Sequence, residues 1–491
     1  MTDILLKLLN INKNNNIGRD LYDDLQPQFS FFKYVLKRNT NFFSGNINIY
    51  NKTWDISNLH NINDQIDIKK EISGDVDLLS NLYISFLLPD IYSNNKYKFK
   101  WVENIGALLI KNASFTINGK VIDSFTGEWL CVWNELTTTN KDTFNKLSGN
   151  ANEINNPRTN ENIIRIKNNI ISDFDYPTSD KNDPNNPPSI PGKWVSVQLP
   201  FWFTKAPNLA LPIFSNIRDK NIFYLNITFE NIEKLYTIYS DVYNMNISPS
   251  HYKILHSEQI SIENFIKNRD ICINIIANCI IVDTNEKYSI INSCTSENGL
   301  IYLYETLRIK TNIFEPGSTG LRKVEIEPNF FIKELIWTLR RSDSITNFND
   351  ILNFSYNIPF NNEKSILEKA YINMGPSQVM AETGSFYYNQ IQPYQYHNAI
   401  PKQGIYLYSF SLLPEKSIHS GSYNSSVSSE KININMTFNK YQKSILDEMY
   451  EKKLNKSYSQ NNPVNIETVL YIIEYKFLQI SQYTIELRYS N

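Results

Sequence analysis

Apolar and polar residues alternate with a period of two along the whole chain, and nothing else in the sequence restricts its fold so tightly. Phe115 and Ile117 alternate with Ser114 and Thr116, then run into Asn118-Gly119, and Val121 opens the return. Asn-Gly favours a tight hairpin because both positions tolerate positive φ. The same alternation appears in Val195, Val197 and Leu199, in Leu225, Ile227 and Phe229, in Ile432, Ile434, Met436 and Phe438, and in Ile473, Tyr475 and Phe477. Each segment reads as a strand with one buried and one wet face. Helical periodicity is confined to about residues 126–136 and 441–454. Many strands and few helices predict an all-β chain of sandwiches or barrels.

With 491 residues, two or three domains are expected. Patterning weakens across residues 235–263, which include Pro249, so the division is drawn there: an arm over 1–24, a first sandwich over 25–235, a linker over 236–254 and a second sandwich over 255–491. Asp75 to Pro89 and Val324 to Leu339 echo each other weakly, as a duplication would. Residues 150–191 and 417–430, rich in Asn, Pro and Ser, read as long surface loops, as do those around 347–380.

The composition excludes several function classes. The 48 basic and 50 acidic residues nearly cancel, so no basic face for nucleic acid is called for. The 15 glycines amount to about 3%, against a usual ~7%, which disfavours Gly-rich nucleotide sites. Cys131, Cys272, Cys279 and Cys294 form no C-x-x-C pair and read as buried thiols of a reducing compartment. His60, His251, His256, His397 and His419 offer no H-x-H or H-x-x-x-H pair to a metal, so a metal-binding cupin is not indicated. There is no G-x-S-x-G elbow, phosphate loop or dinucleotide fingerprint. No enzymatic activity, cofactor or metal is expected. The N-x-S/T triplets, such as that at Asn226 inside a predicted strand, read as by-products of an Asn-rich composition. No apolar run approaches the ~20 residues of a membrane helix, and the chain is expected to stay in the cytoplasm until packaged.

One segment is more specific. Q-P-Q-F-S-F-F-K-Y-V-L-K-R-N-T-N-F runs from Gln26 to Phe42. It resembles the opening of the first jelly roll in major capsid proteins of nucleocytoplasmic large DNA viruses. Gln26, Pro27, Phe31, Phe32, Lys33, Val35, Arg38, Thr40, Asn41 and Phe42 match, while Leu36, Lys37 and Asn39 depart from it. Further matches follow in family order: Gly127-Glu128-Trp129, Pro200-Phe201-Trp202, Asp283-Thr284, Trp337, and Gly404 with Tyr406. On the residues themselves, Phe31, Phe32, Val35 and Phe42 suit the anchoring of an arm against a sheet, and Gly127 suits a tight entry to a short helix.

The resemblance implies two consecutive eight-stranded jelly rolls. It also implies a structural subunit that trimerises into pseudo-hexagonal capsomers and tiles an icosahedral virion shell. Its partners would be further copies of itself, minor capsid proteins and an inner membrane reached through the N-terminal arm, with assembly in the host cytoplasm and no direct contact to nucleic acid. Leu5, Leu8 and Leu9 share one helical face in that arm. Two rival readings are a transient membrane-shaping scaffold of the same fold and a lectin-like sandwich.

Overall fold

A computed structural model describes residues 41–61, 63–68, 72, 76–157, 166–167, 170–171, 178–213, 223–243, 245–296, 299–315, 321–327, 331–355, 365–374, 377–378, 380–416, 419–425, 431–439, 464–481 and 485–488. Strands dominate it. The first eight long pairing strands are β1 (Phe42–Asp55), β2 (Asn63–Asp67), β3 (Leu78–Leu87), β4 (Ile110–Ile117), β5 (Lys120–Phe125), β6 (Trp194–Gln198), β7 (Phe223–Phe229) and β8 (Asp270–Val282). One sheet pairs β1-β8-β3, with β6 on the far edge of β3; the other pairs β2-β7-β4-β5. Numbered by position, the orders are 1-8-3-6 and 2-7-4-5.

With three short strands pairing beside them, eight strands of the following region, one of them only two residues long, repeat that order. They are β9 (Leu300–Phe314), β10 (Arg322–Ile326), β11 (Phe331–Arg341), β12 (Leu367–Met374), β13 (Ser377–Gln378), β14 (Ile405–Ser409), β15 (Ile432–Phe438) and β16 (Ile466–Ile480). Their sheets run β9-β16-β11-β14 and β10-β15-β12-β13. Two jelly rolls of identical pairing therefore follow one another, as expected for a duplicated chain.

The hairpin reading is borne out at the turn: Asn118 and Gly119 both have positive φ, 52° and 77°. The helix read near 126–136 is α1 (Gly127–Thr137), capped by the Thr126 hydroxyl, which accepts from the backbone N–H of Trp129. The helix read at 441–454 lies outside the described residues.

Two expectations need correction. Residues 236–254 are not a bare linker. They hold strand Tyr236–Ser240, paired to Phe99–Trp101 on one side and to strand Met245–Ile247 on the other, and part of the helix Pro249–His256. The joint between the jelly rolls is instead α2 (Thr284–Thr295), because β8, placed by sequence in the second half, is hydrogen-bonded to β3 nearly two hundred residues earlier. Ile271, Ile273, Ile275, Ala277 and Cys279 point into the first core, and alternation shows which face is apolar but not which strand lies alongside. The region 347–380 is likewise not all loop, since β12 crosses it and buries Leu367, Ala370 and Ile372.

One apolar cluster fills the first jelly roll and continues past it to Ile336, Ile405, Leu407, Val469, Tyr471 and Ile473. A second, containing Val324, Leu335, Trp337, Ile372, Ile434, Leu470 and Ile472, fills the second jelly roll. The sheet 9-16-11-14 is thus buried on both faces, one against its own sandwich and one against the first jelly roll.

Candidate functional site: the seam between the jelly rolls

The residues that face the shared side of that sheet form the most organised polar constellation among the described residues. From the first jelly roll, α1 presents Glu128, Trp129 and Trp133. Gly127 makes this possible: a Cβ there would sit 1.9 Å from the Ala107 carbonyl oxygen, so only glycine lets the helix start so close to that backbone. The demand is one of space rather than of φ.

Glu128 receives Arg340 of β11 at 2.9 Å and the Tyr471 hydroxyl of β16 at 3.0 Å. Arg340 also reaches Glu467 at 2.8 Å, and two carboxylates hold the guanidinium well above its ordinary value although burial opposes this. The Trp129 ring lies 4.9 Å from that of Tyr471. Trp202 packs on Tyr302 and Tyr304 of β9 at 5.2 and 5.5 Å. Its backbone N–H donates to Asp123 at 3.1 Å, while Phe201 behind it packs on Phe125 at 4.9 Å.

A chain of charges continues from there. Burial lifts the Asp123 carboxyl to about 6 against the pull of Lys205. Lys205 pairs with Glu305 at 2.9 Å, and Glu305 also pairs with the fully buried Lys333. Burial alone would raise the Glu305 carboxyl, but the two ammonium groups outweigh it and hold it low. Beside Lys333, Glu334 accepts from His397 at 2.9 Å, and Glu415 meets the other ring nitrogen at 3.0 Å. Burial opposes protonation of His397, yet Glu334 and then Glu415 raise it to about 9, so the ring is imidazolium at neutral pH. Trp133 of α1 covers it edge-on at 5.8 Å. The cavity here, lined by Asp123, Lys205, Glu305 and Thr306 among others, has a volume of about 20 Å³. That is room for about one water and for no substrate. No group of three metal-ligating side chains occurs among the described residues. Such an arrangement locks two domains together; paired, buried charges favour one register over others because an unpaired one is costly.

The family-motif residues are only partly brought together. Gln26, Pro27, Phe31, Phe32, Lys33, Arg38 and Thr40 lie outside the described residues, and Asn41 is exposed. Phe42, expected to anchor the arm, starts β1 with 65% of its surface exposed among the described residues. Glu128, Trp129 and Trp202 meet at the seam, with Gly127, Pro200 and Phe201 supporting them. Trp337 and Tyr406 stack 5.8 Å apart in the second core, and Gly404, at φ 95°, passes against the Phe354 carbonyl where a Cβ would come within 2.2 Å. Asp283 and Thr284 stand apart, exposed at the start of α2. Sequence reasoning assigned no seam role to Asp123, Lys205, Glu305, Lys333, Glu334, Arg340, His397 or Tyr471. A signal existed for some: Lys333-Glu334 and Arg340 interrupt the otherwise apolar run from Phe331 to Leu339 and beyond, where a charge must be partnered.

Fold and seam together define a double jelly-roll protein whose two halves are locked to each other. Comparison with known proteins agrees. The model of the major capsid protein N-terminus matches residues 30–265, and that of the large eukaryotic DNA virus major capsid protein matches residues 293–483. The major capsid protein of Phaeocystis pouchetii virus is 22% identical over 503 aligned positions, covering 83% of this chain and 88% of that one. Probable capsid protein 4 of Acanthamoeba polyphaga mimivirus is 29% identical over 229 positions, which span 45% of this chain and 37% of that relative. Among solved structures, PBCV-1 VP54 fitted into a reconstruction of the virophage Sputnik gives a TM-score of 0.64 at 17% identity, covering 94% of this chain and 100% of that one. The Faustovirus major capsid protein gives 0.59 at 12%, covering 94% of each. The chain belongs to the family of major capsid proteins of large eukaryotic DNA viruses. Proteins of this family are virion components.

Proposed function

We propose that this chain is the shell-forming subunit itself: three copies close into a pseudo-hexagonal capsomer, and capsomers tile the facets of an icosahedral virion. The observation that carries the reading is the repetition of one pairing order, 1-8-3-6 over 2-7-4-5, in both halves. Two lobes of like topology per chain let three chains present six similar lobes, and a near-sixfold unit packs a flat facet without gaps. Assembly takes place in the host cytoplasm, the arm over residues 1–24 faces inward toward minor capsid proteins or an inner membrane, and the protein turns over no substrate and contacts no nucleic acid. Light scattering on dilute purified protein tests the trimer. A mass of three chains persisting at micromolar concentration is expected, since obligate interfaces commonly bury more than ~2,000 Å². A correctly folded monomer throughout that range overturns the reading.

A further inference from the structure

The duplication allows the two jelly rolls to be aligned residue by residue, through an irregularity they share. The register of β3 against β8 slips past Ser80, and that of β11 against β16 slips past Lys333. Setting Ser80 against Lys333 places Tyr83 on Ile336, Ile276 on Tyr471 and Gln198 on Leu407, since each trio lies in one cross-strand row. In the second jelly roll that row is buried, because α1 of the first covers it and lays Trp129 on Tyr471. In the first jelly roll the equivalent Tyr83 and Ile276 are half-buried and Gln198 is exposed. The neighbouring rows there carry Asn274 and Asn278, where the second jelly roll has Val469 and Ile473.

The covering element is duplicated too. Thr126-Gly127-Glu128-Trp129 follows the fifth strand of the first jelly roll and opens α1. In the second, Thr383-Gly384 is a two-residue strand paired to β12 after the fifth strand, and it leads through Ser385-Phe386 into the helical segment that runs from Tyr387 to Tyr396. The cross-strand registers set Ala370 on Ala113 and Thr383 on Phe125, so Phe386 takes the place of Glu128, the neighbour of Trp129 that also meets Tyr471. Trp129 is 6% exposed, whereas Phe386 is 59% and Tyr394 78% exposed. Gln390, between them, is exposed as well, so the spacing of four puts all three on one side. Each chain accordingly holds one completed joint, plus a spare copy of each of its two halves.

We propose that Phe386 and Tyr394 of one subunit seat on the row of Ile276 and Tyr83 of a second copy of this chain, repeating between chains the joint that Glu128 and Trp129 make with Tyr471 within one. The inference rests on the trimer reading and names the surfaces that would form it. Donor and acceptor differ, so the contact is head-to-tail and closes after three chains, with internal and external joints alternating around the ring. Chemistry explains why the two joints differ in polarity. The internal one forms once, during folding, and is apolar. The external acceptor must stay soluble until a partner arrives, and its Asn and Gln residues around a small apolar centre provide that, as in interfaces that assemble from folded parts.

The test uses the full chain. Phe386→Asp and Ile276→Asp are each compared with wild type by light scattering, with circular dichroism to check folding. Wild-type trimers and at least tenfold weaker association in each variant are expected. A second arm carries Phe386→Cys and Ile276→Cys together in a Cys272→Ser background. Mild oxidation should convert this protein into covalent trimers on non-reducing gels, while Tyr288→Cys, exposed on α2, in place of Phe386→Cys should not. Wild-type trimers that survive both Asp substitutions, or a disulfide that forms only within a chain, overturn the assignment of these surfaces and leave the trimer standing. A wild type that is monomeric at every concentration overturns both.

Discussion

At position 127 a single carbonyl oxygen limits the side chain to hydrogen. Gly127→Ala would drive a methyl into the Ala107 carbonyl, so α1 must move off the seam, and a loss of about 3 kcal/mol is expected in urea unfolding. Gly119→Ala meets nothing within 4 Å and suffers only the positive φ of the hairpin, which costs about 1 kcal/mol. A larger loss at 119 than at 127 contradicts this account. His397 supplies the pH dependence. Its folded-state value, about 9, lies above the unfolded ~6.5, so its stabilisation is complete below about pH 6.5 and fades as pH rises through about 9. Melting temperatures should fall between pH 7 and 9.5 in wild type, by the equivalent of roughly 3 kcal/mol at most, and much less in His397→Gln. Asp123 does not confuse the comparison: its raised carboxyl also loses stabilisation as pH rises, but through about 6, below that window. Parallel pH profiles in the two proteins would show that the imidazolium does not hold Glu334.

Among the elements, α1 and the helical segment Tyr387–Tyr396 occupy like places in the topology and unlike surroundings. Trp129→Ala should therefore destabilise the single chain by about 3–5 kcal/mol, because its ring is buried against β16. Phe386→Ala should leave chain stability within about 0.5 kcal/mol, because the side chain is mostly exposed. Arg340→Met strands the Glu128 and Glu467 carboxylates and should cost about 3–5 kcal/mol. Adding Glu128→Gln should recover part of that, which a double-mutant cycle by urea unfolding measures. The strands themselves were legible where one face is wet: β7 alternates in sequence as it does in burial. In β16 Ile473, Tyr475 and Phe477 alternate with polar residues, but the continuous run Val469-Leu470-Tyr471-Ile472-Ile473 is the more telling sign, since a strand buried on both faces has no polar side to alternate.

For the whole molecule, the arm carries the remaining prediction. Leu5, Leu8 and Leu9 lie before an Asn/Lys-rich tether, and a helix so short is marginal in water without a partner surface. Deleting residues 2–16 should leave folded trimers by light scattering while electron microscopy shows weakened shells or a detached inner layer. Loss of the trimer would instead place the arm in the subunit interface. The sequence by itself determined the all-β class, the Asn118-Gly119 hairpin, the short helix α1 and, through ordered motifs, the family, because each depends on residues close together in the chain. It could not locate the end of the first jelly roll, since β8 finds β3 and β1 only by long-range pairing, and any alternating strand has the same pattern whichever partner it meets. The seam was equally beyond it. Glu128 and Trp129 look like helix-start residues until folding sets them against Arg340 and Tyr471, and a buried charge acquires its meaning only from the opposite charge that tertiary structure places within 3 Å.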